Sequence, residues 1–73
     1  MIQDPKVAEE VNKKVLEINR LLNELVAYVN QNSPPEEEKR FRHAVGSVLG
    51  ELLLEIVNPL YCQHPELKPP EMG

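Results

Sequence analysis

Cys62 and His64 stand two residues apart and hold most of the chemical potential of this chain. A thiolate and an imidazole at that spacing could supply half of a zinc site, or a nucleophile beside its base. The rest of the sequence completes neither. His43 is the only other histidine and Cys62 the only cysteine, so a closed zinc site in one subunit would have to recruit carboxylates. A site shared across a dimer axis is the metal option that remains, because symmetry doubles the ligands. Nothing suggests a cleft, an oxyanion hole or an orienting third group for Cys–His catalysis. Cys62 therefore reads as a small, partly buried apolar residue, and His64-Pro65 as a chain reversal or the start of an extended tail.

The carboxylates are no more productive. Glu51 and Glu55 are four apart on one helix, but two-carboxylate or di-metal bundle chemistry needs inward Glu-x-x-His pairings, and no Glu-x-x-His occurs on either long helix. They read as solvated edge charges, or as interhelical partners of Lys14 or Arg20. The run from Glu36 to His43 is the densest charge cluster. Its sharper reading is a patch in which Arg40, Arg42 and His43 grip an acidic partner. Its simpler reading is an acid-rich first turn suited to the helix dipole, with Glu36–Arg40 and Glu38–Arg42 pairs at i, i+4, and this is the one preferred. Gly46 and Gly50 are four apart inside a helical pattern, where each costs about 1 kcal/mol against alanine. Close backbone approach at a helix crossing is the expected reason. No catalytic residue, cofactor or metal ligand is thus assigned, and an enzyme is not expected.

Size and charge narrow the partners. The chain has 73 residues, a net charge of −4 and a pI near 5.1. That balance weighs against nucleic acid, whose binding needs many Lys and Arg on phosphates, and against anionic membrane surfaces. No apolar run approaches the ~20 residues of a membrane span, and the N-terminus does not read as a signal peptide. A cysteine without a partner fits a reducing compartment, which makes the cytoplasm the default location. A chain this short buries only ~60% of its unfolded surface. Without a disulfide or a metal, oligomerisation is the remaining staple.

The elements that must position these residues are two helices. Asp4-Pro5 is a helix start, with Asp as N-cap and Pro at the first position. Ala8, Val11, Val15, Ile18, Leu22, Leu25 and Val29 then step by threes and fours as one heptad seam. Val7, Leu21 and Tyr28 widen one side of it and Val26 the other; Asn12 and Asn19 flank it at equivalent positions. Asn30 to Asn32 weaken the pattern, with Asn suited to a left-handed helix end. Ser33 reads as the next N-cap, Pro34 as N1 and Glu36 as the capping-box acid. Helix one is expected over about 5–31, helix two over about 34–57, and an irregular Pro-rich tail over 58–73, its last four or five residues disordered; Asn58-Pro59 either ends helix two or starts a single new turn through Leu60, Tyr61 and Cys62, and Leu60, Tyr61 and Leu67 can fold back onto the bundle end. Phe41, Val45, Val48, Leu49, Leu52 and Ile56 form one apolar stripe on helix two, and Gly46, Gly50, Leu53 and Val57 a second sector. Leu54 lies just beyond. The hairpin partner can cover only one of these sides.

These readings predict an all-α fold. One antiparallel two-helix hairpin with an extended C-terminal tail, occupying 1–73 as a single domain, pairs with a second copy as a homodimeric four-helix bundle. The expected core and dimer interface is Val11, Val15, Ile18, Leu22, Leu25 and Val29 with Phe41, Val45, Gly46, Val48, Leu49, Gly50, Leu52, Leu53, Ile56 and Val57. Arg40, Arg42, His43, Tyr61 and His64 are the candidate contacts to another protein. The expected function is a non-catalytic interaction or regulatory module that homodimerises. The alternative is a small-molecule or metal-binding protein with its site near the helix-two glycines or the Cys62/His64 tail.

Overall fold

The computed structural model describes residues 2–68. It is an all-helical antiparallel hairpin, a rod of 45 × 20 × 17 Å. Helix α1 spans Pro5–Asn32, and Asp4 caps it by accepting from the Lys6 amide at 2.9 Å. Its length places Ala8 and Val29 at opposite ends of the rod, ~30 Å apart at 1.5 Å per residue. At the C-terminal end the Asn32 side-chain amide folds back and donates to the Tyr28 carbonyl at 2.8 Å. Helix α1 does not end through a left-handed Asn: the backbone leaves it at Ser33 in an extended conformation, and no non-glycine φ is positive among the described residues.

Helix α2 spans Pro35–Leu52. Its cap is Pro34 rather than the expected Ser33, and no side chain caps it; the Pro34 carbonyl instead accepts from the Glu37 and Glu38 amides at 3.0 and 3.1 Å. Two consecutive prolines already hold φ near the helical value, so the first turn forms without a capping box.

The larger departure lies further on. Asn58-Pro59 does not end the second helix. Leu53–Val57 widens into one π turn, in which the Asn58 amide reaches back to the Leu53 carbonyl. Helix α3, Asn58–Gln63, then continues the same rod, followed by a single 3-10 turn at Pro65–Leu67. The predicted irregular tail is therefore helical from 58 to 63. Pro59 would clash with the carbonyl four residues back in a regular helix and brings no N–H to the ladder; a wider turn just before it relieves that conflict. The π turn also takes up one extra residue. Everything after it is rotated by about 100° relative to an unbroken α-helix. That rotation turns Leu60 and Tyr61 toward α1, where they join Val57 in the core, and sets the buried His64 beside Ile2. Part of the apolar excess of the second helix is absorbed in this way within one copy.

The core sits at the open end of the hairpin. Ala8, Val15, Val57, Leu60 and Tyr61 form it, with Ile2, Val11, Leu52, Ile56 and Leu67 packed against them. Toward the interhelical turn, Val45 is the buried residue. Residues 69–73, including Pro69 and Pro70 of the predicted tail, lie outside the described residues.

Candidate interaction surface

The heptad seam read from the sequence splits in two. Ala8 and Val15 are buried, and Leu22, Val26 and Val29 half-buried, along the line facing α2. Ile18 and Leu25 are not in that line: they are 44% and 47% exposed. They join Val7, Leu21 and Tyr28, also exposed, in a second stripe. The inner line repeats as Ala8, Val15, Leu22, Val29 and the outer as Val7, Lys14, Leu21, Tyr28. The two are displaced by one residue, about 100° around the helix axis. Ile18 and Leu25 fall at their border. On the second helix Val48 is 54% exposed and Leu54 64%.

On another side, the two helices leave an open cleft of ≈ 240 Å³ lined by Val15, Leu16, Asn19, Leu49, Leu52, Leu53, Val57 and Tyr61. Leu53 and Val57 are the two ends of the π turn, so the distortion that buries Tyr61 also shapes this cleft. It is smaller than the roughly 300–1,000 Å³ of ordinary ligand pockets. Gly46 and Gly50 have nothing within 4 Å of where a Cβ would stand. The expected close approach is not made within the chain; the glycines leave a smooth strip on the surface of α2.

The polar contacts that matter for packing lie at the open end. The Tyr61 hydroxyl donates to Asn12 Oδ1 at 2.6 Å, and His64 Nε2 lies 2.5 Å from the Ile2 carbonyl oxygen. His64 Nδ1 lies 3.3 Å from Glu66 Oε1. Burial raises the Tyr61 pKa above its ordinary value of 10.0. Tyr61 and His64, the expected contacts to another protein, are both buried against their own chain. Sequence reasoning places Asn12 only at the flank of the seam. Its phase, four residues from Ala8 and three from Val15, is the signal that it borders the core.

Cys62 is exposed whereas His64 is turned inward. The two do not converge, and Cys62 is not the part-buried apolar residue expected. Among the described residues no group of three or more His, Cys, Asp or Glu is close enough to hold a metal ion. At the turn end, Arg40 and His43 share a shallow depression with Glu36 and Lys39, while Arg42 is drawn to Glu38 at 3.6 Å. Along α1, Arg20 pairs with Glu24 at 2.7 Å and reaches Glu17 at 3.9 Å, and Lys13 reaches Glu9 at 3.9 Å. These exposed pairs are worth little each.

Because the second helix runs unbroken over Pro35–Gln63, its 29 residues, with a window of mean hydropathy 1.3, are by length and composition enough to cross a membrane. The expectation drawn from the sequence, that no apolar run approaches the length of a span, counts uninterrupted apolar residues, whereas this helix qualifies on its mean hydropathy. Comparison with protein families, with curated proteins and with solved structures finds no match to this chain.

Proposed function

We propose that this chain is a non-catalytic helical interaction module whose working form is a homodimer, two hairpins closing into a four-helix bundle. The observation that carries the reading is an imbalance. Among the described residues six hydrophobic side chains are buried, while nine large ones, Val7, Leu16, Ile18, Leu21, Leu25, Tyr28, Val48, Leu53 and Leu54, are at least 40% exposed. Scattered apolar residues on a surface need no explanation, but contiguous stripes mark contact sites. Covering each half-exposed side chain contributes about 1 kcal/mol, so a shared interface supplies stability that a two-helix rod lacks. The paucity of convergent polar groups in the 240 Å³ cleft and the separation of Cys62 from His64 favour this reading over a ligand or metal site.

A bilayer is the competing environment for the same apolar helix. Glu51 and Glu55 on it, each costly at the centre of a membrane, favour the bundle. Sedimentation equilibrium from micromolar to millimolar protein tests the proposal. A mass approaching twice the 8.3 kDa of one chain is expected. A single-chain mass throughout, or quantitative co-sedimentation with neutral phosphatidylcholine vesicles, would count against it.

A further inference from the structure

Resting on the homodimer reading, we infer that the second copy docks along the outer stripe of α1, antiparallel, with Leu21 of one copy facing Leu25 of the other. Three observations converge on this face. The main core cluster lies at the open end of the hairpin, where Ile2 and Leu67 pack against it. The exposed residues Ile18, Leu21, Leu25 and Tyr28 lie toward the interhelical turn, where Val45 is the buried residue. This stretch of unsheltered surface lies where the chain's own core is thinnest, whereas Val7, Leu16, Leu53 and Leu54 are exposed alongside the open-end core. Next, these four residues step by 3, 4 and 3, the spacing of a helix–helix seam. Finally, the outer stripe is offset from the inner one by about 100°. A helix in a four-helix bundle packs on two neighbours roughly at right angles around its axis.

The register follows from self-complementarity. An isologous pairing in which residue numbers across the interface sum to 46 stacks Ile18 on Tyr28 of the partner copy and Leu21 on Leu25 of the partner copy. Two-fold symmetry repeats both layers, giving four apolar layers from the sequence spacing. Lys14, the one charge in the outer repeat, then falls opposite Asn32 of the partner copy. The Asn32 amide nitrogen already donates to the Tyr28 carbonyl, so its side-chain oxygen is the atom left to accept from that ammonium. A parallel pairing would instead set Lys14 against its own copy. The register one repeat away buries Lys14 against Leu25. Like-charge and unpaired-charge layers are costly, which leaves the first arrangement.

The test is a charge swap across one layer, read by native mass spectrometry and sedimentation on the full chain. Ile18→Glu and Tyr28→Lys each break two layers, and each is expected to weaken dimerisation at least tenfold. Mixed in equal amounts they are expected to form a heterodimer within a few-fold of the wild-type affinity. In the mixture the introduced carboxylate meets the introduced ammonium in one layer, and the native Ile18–Tyr28 pair re-forms in the other. Should either variant lose its fold on dissociation, the recovery of helical signal on mixing reads the same contact. A mixture that stays monomeric overturns the register. Full dimerisation of both single variants overturns the seam while leaving the homodimer intact. A monomeric wild type removes the homodimer itself.

Discussion

The Tyr61 hydroxyl donates to Asn12 Oδ1 at 2.6 Å across 49 residues of sequence, fastening the last turns of the second helix to the early turns of the first. The bond exists because the π turn has rotated Tyr61 inward. Removing only the acceptor leaves a part-buried hydroxyl unpaired, which costs more than removing the donor. Asn12→Ala is therefore expected to destabilise the hairpin by about 1–3 kcal/mol and Tyr61→Phe by about 0.5–1.5 kcal/mol. Urea denaturation followed by far-UV circular dichroism, closed into a double-mutant cycle, checks both. An additive cycle would mean the two side chains do not act together.

The same tyrosine makes an alkaline prediction. Burial raises its folded pKa above the 10.0 of an exposed phenol. Between the unfolded and folded values the native state holds more protons, so stability from this group is complete below pH 10 and falls as pH rises through the folded value. Wild-type stability is expected to drop more steeply above pH 10 than that of Tyr61→Phe. Parallel curves for the two proteins would show that Tyr61 ionises as freely in the folded chain as in the unfolded one.

The π turn predicts an unusual tolerance. It accommodates one residue beyond a regular helix, and Leu54 within it is 64% exposed. Deleting Leu54 together with Pro59→Ala, which removes the ring that a regular helix cannot hold, should let the segment close as an ordinary α-helix with Leu60 and Tyr61 still inward. The expected change is within about 1 kcal/mol, the range of mild substitutions. An alanine inserted after Leu54 turns the same residues about 100° away and should unfold the open end. By contrast Leu60→Ala, at a side chain 1% exposed, should cost about 2–5 kcal/mol. Thermal melts of the three variants separate these outcomes; equal damage from deletion and insertion would refute the rotation argument.

Gly46 and Gly50 offer a control. No atom would meet an added Cβ at either position, so alanine should gain helix propensity, up to about 1 kcal/mol each. They lie in the sector with Leu53, near the cleft and away from Ile18 and Leu25, so dimerisation should be unchanged. A raised melting temperature with lost association would place the interface on the glycine strip instead.

How far these elements can be read from the sequence differs along the chain. Asp4-Pro5 and the double proline at 34–35 are local signals, and both helix starts fall within a residue of the expectation. The hairpin follows from the brevity of the connection between them. The outer stripe is visible as Val7, Leu21 and Tyr28 widening the seam, but Ile18 and Leu25 read as members of the inner line. Their border phase allows either, and only the packing of α2 on α1 decides. At Asn58-Pro59 the sequence allows either a stop, which local chemistry favours, or a new turn through Leu60, Tyr61 and Cys62, and the chain takes the turn. Burial of Leu60 and Tyr61 outweighs the stop, and a single widened turn reconciles the two. With Tyr61 and His64 buried against their own chain, the expected contacts to another protein that stay exposed are Arg40, Arg42 and His43.

In the proposed dimer each copy covers apolar helical surface that the other leaves open, so folding and association are linked. Linked equilibria make the melting temperature depend on protein concentration. Thermal unfolding followed by circular dichroism from about 1 μM to 1 mM is therefore the most direct measurement. The proposed dimer predicts a midpoint that climbs steadily with concentration, and a weaker climb in Leu21→Lys. A sharp, cooperative transition at one temperature across that whole range would contradict it.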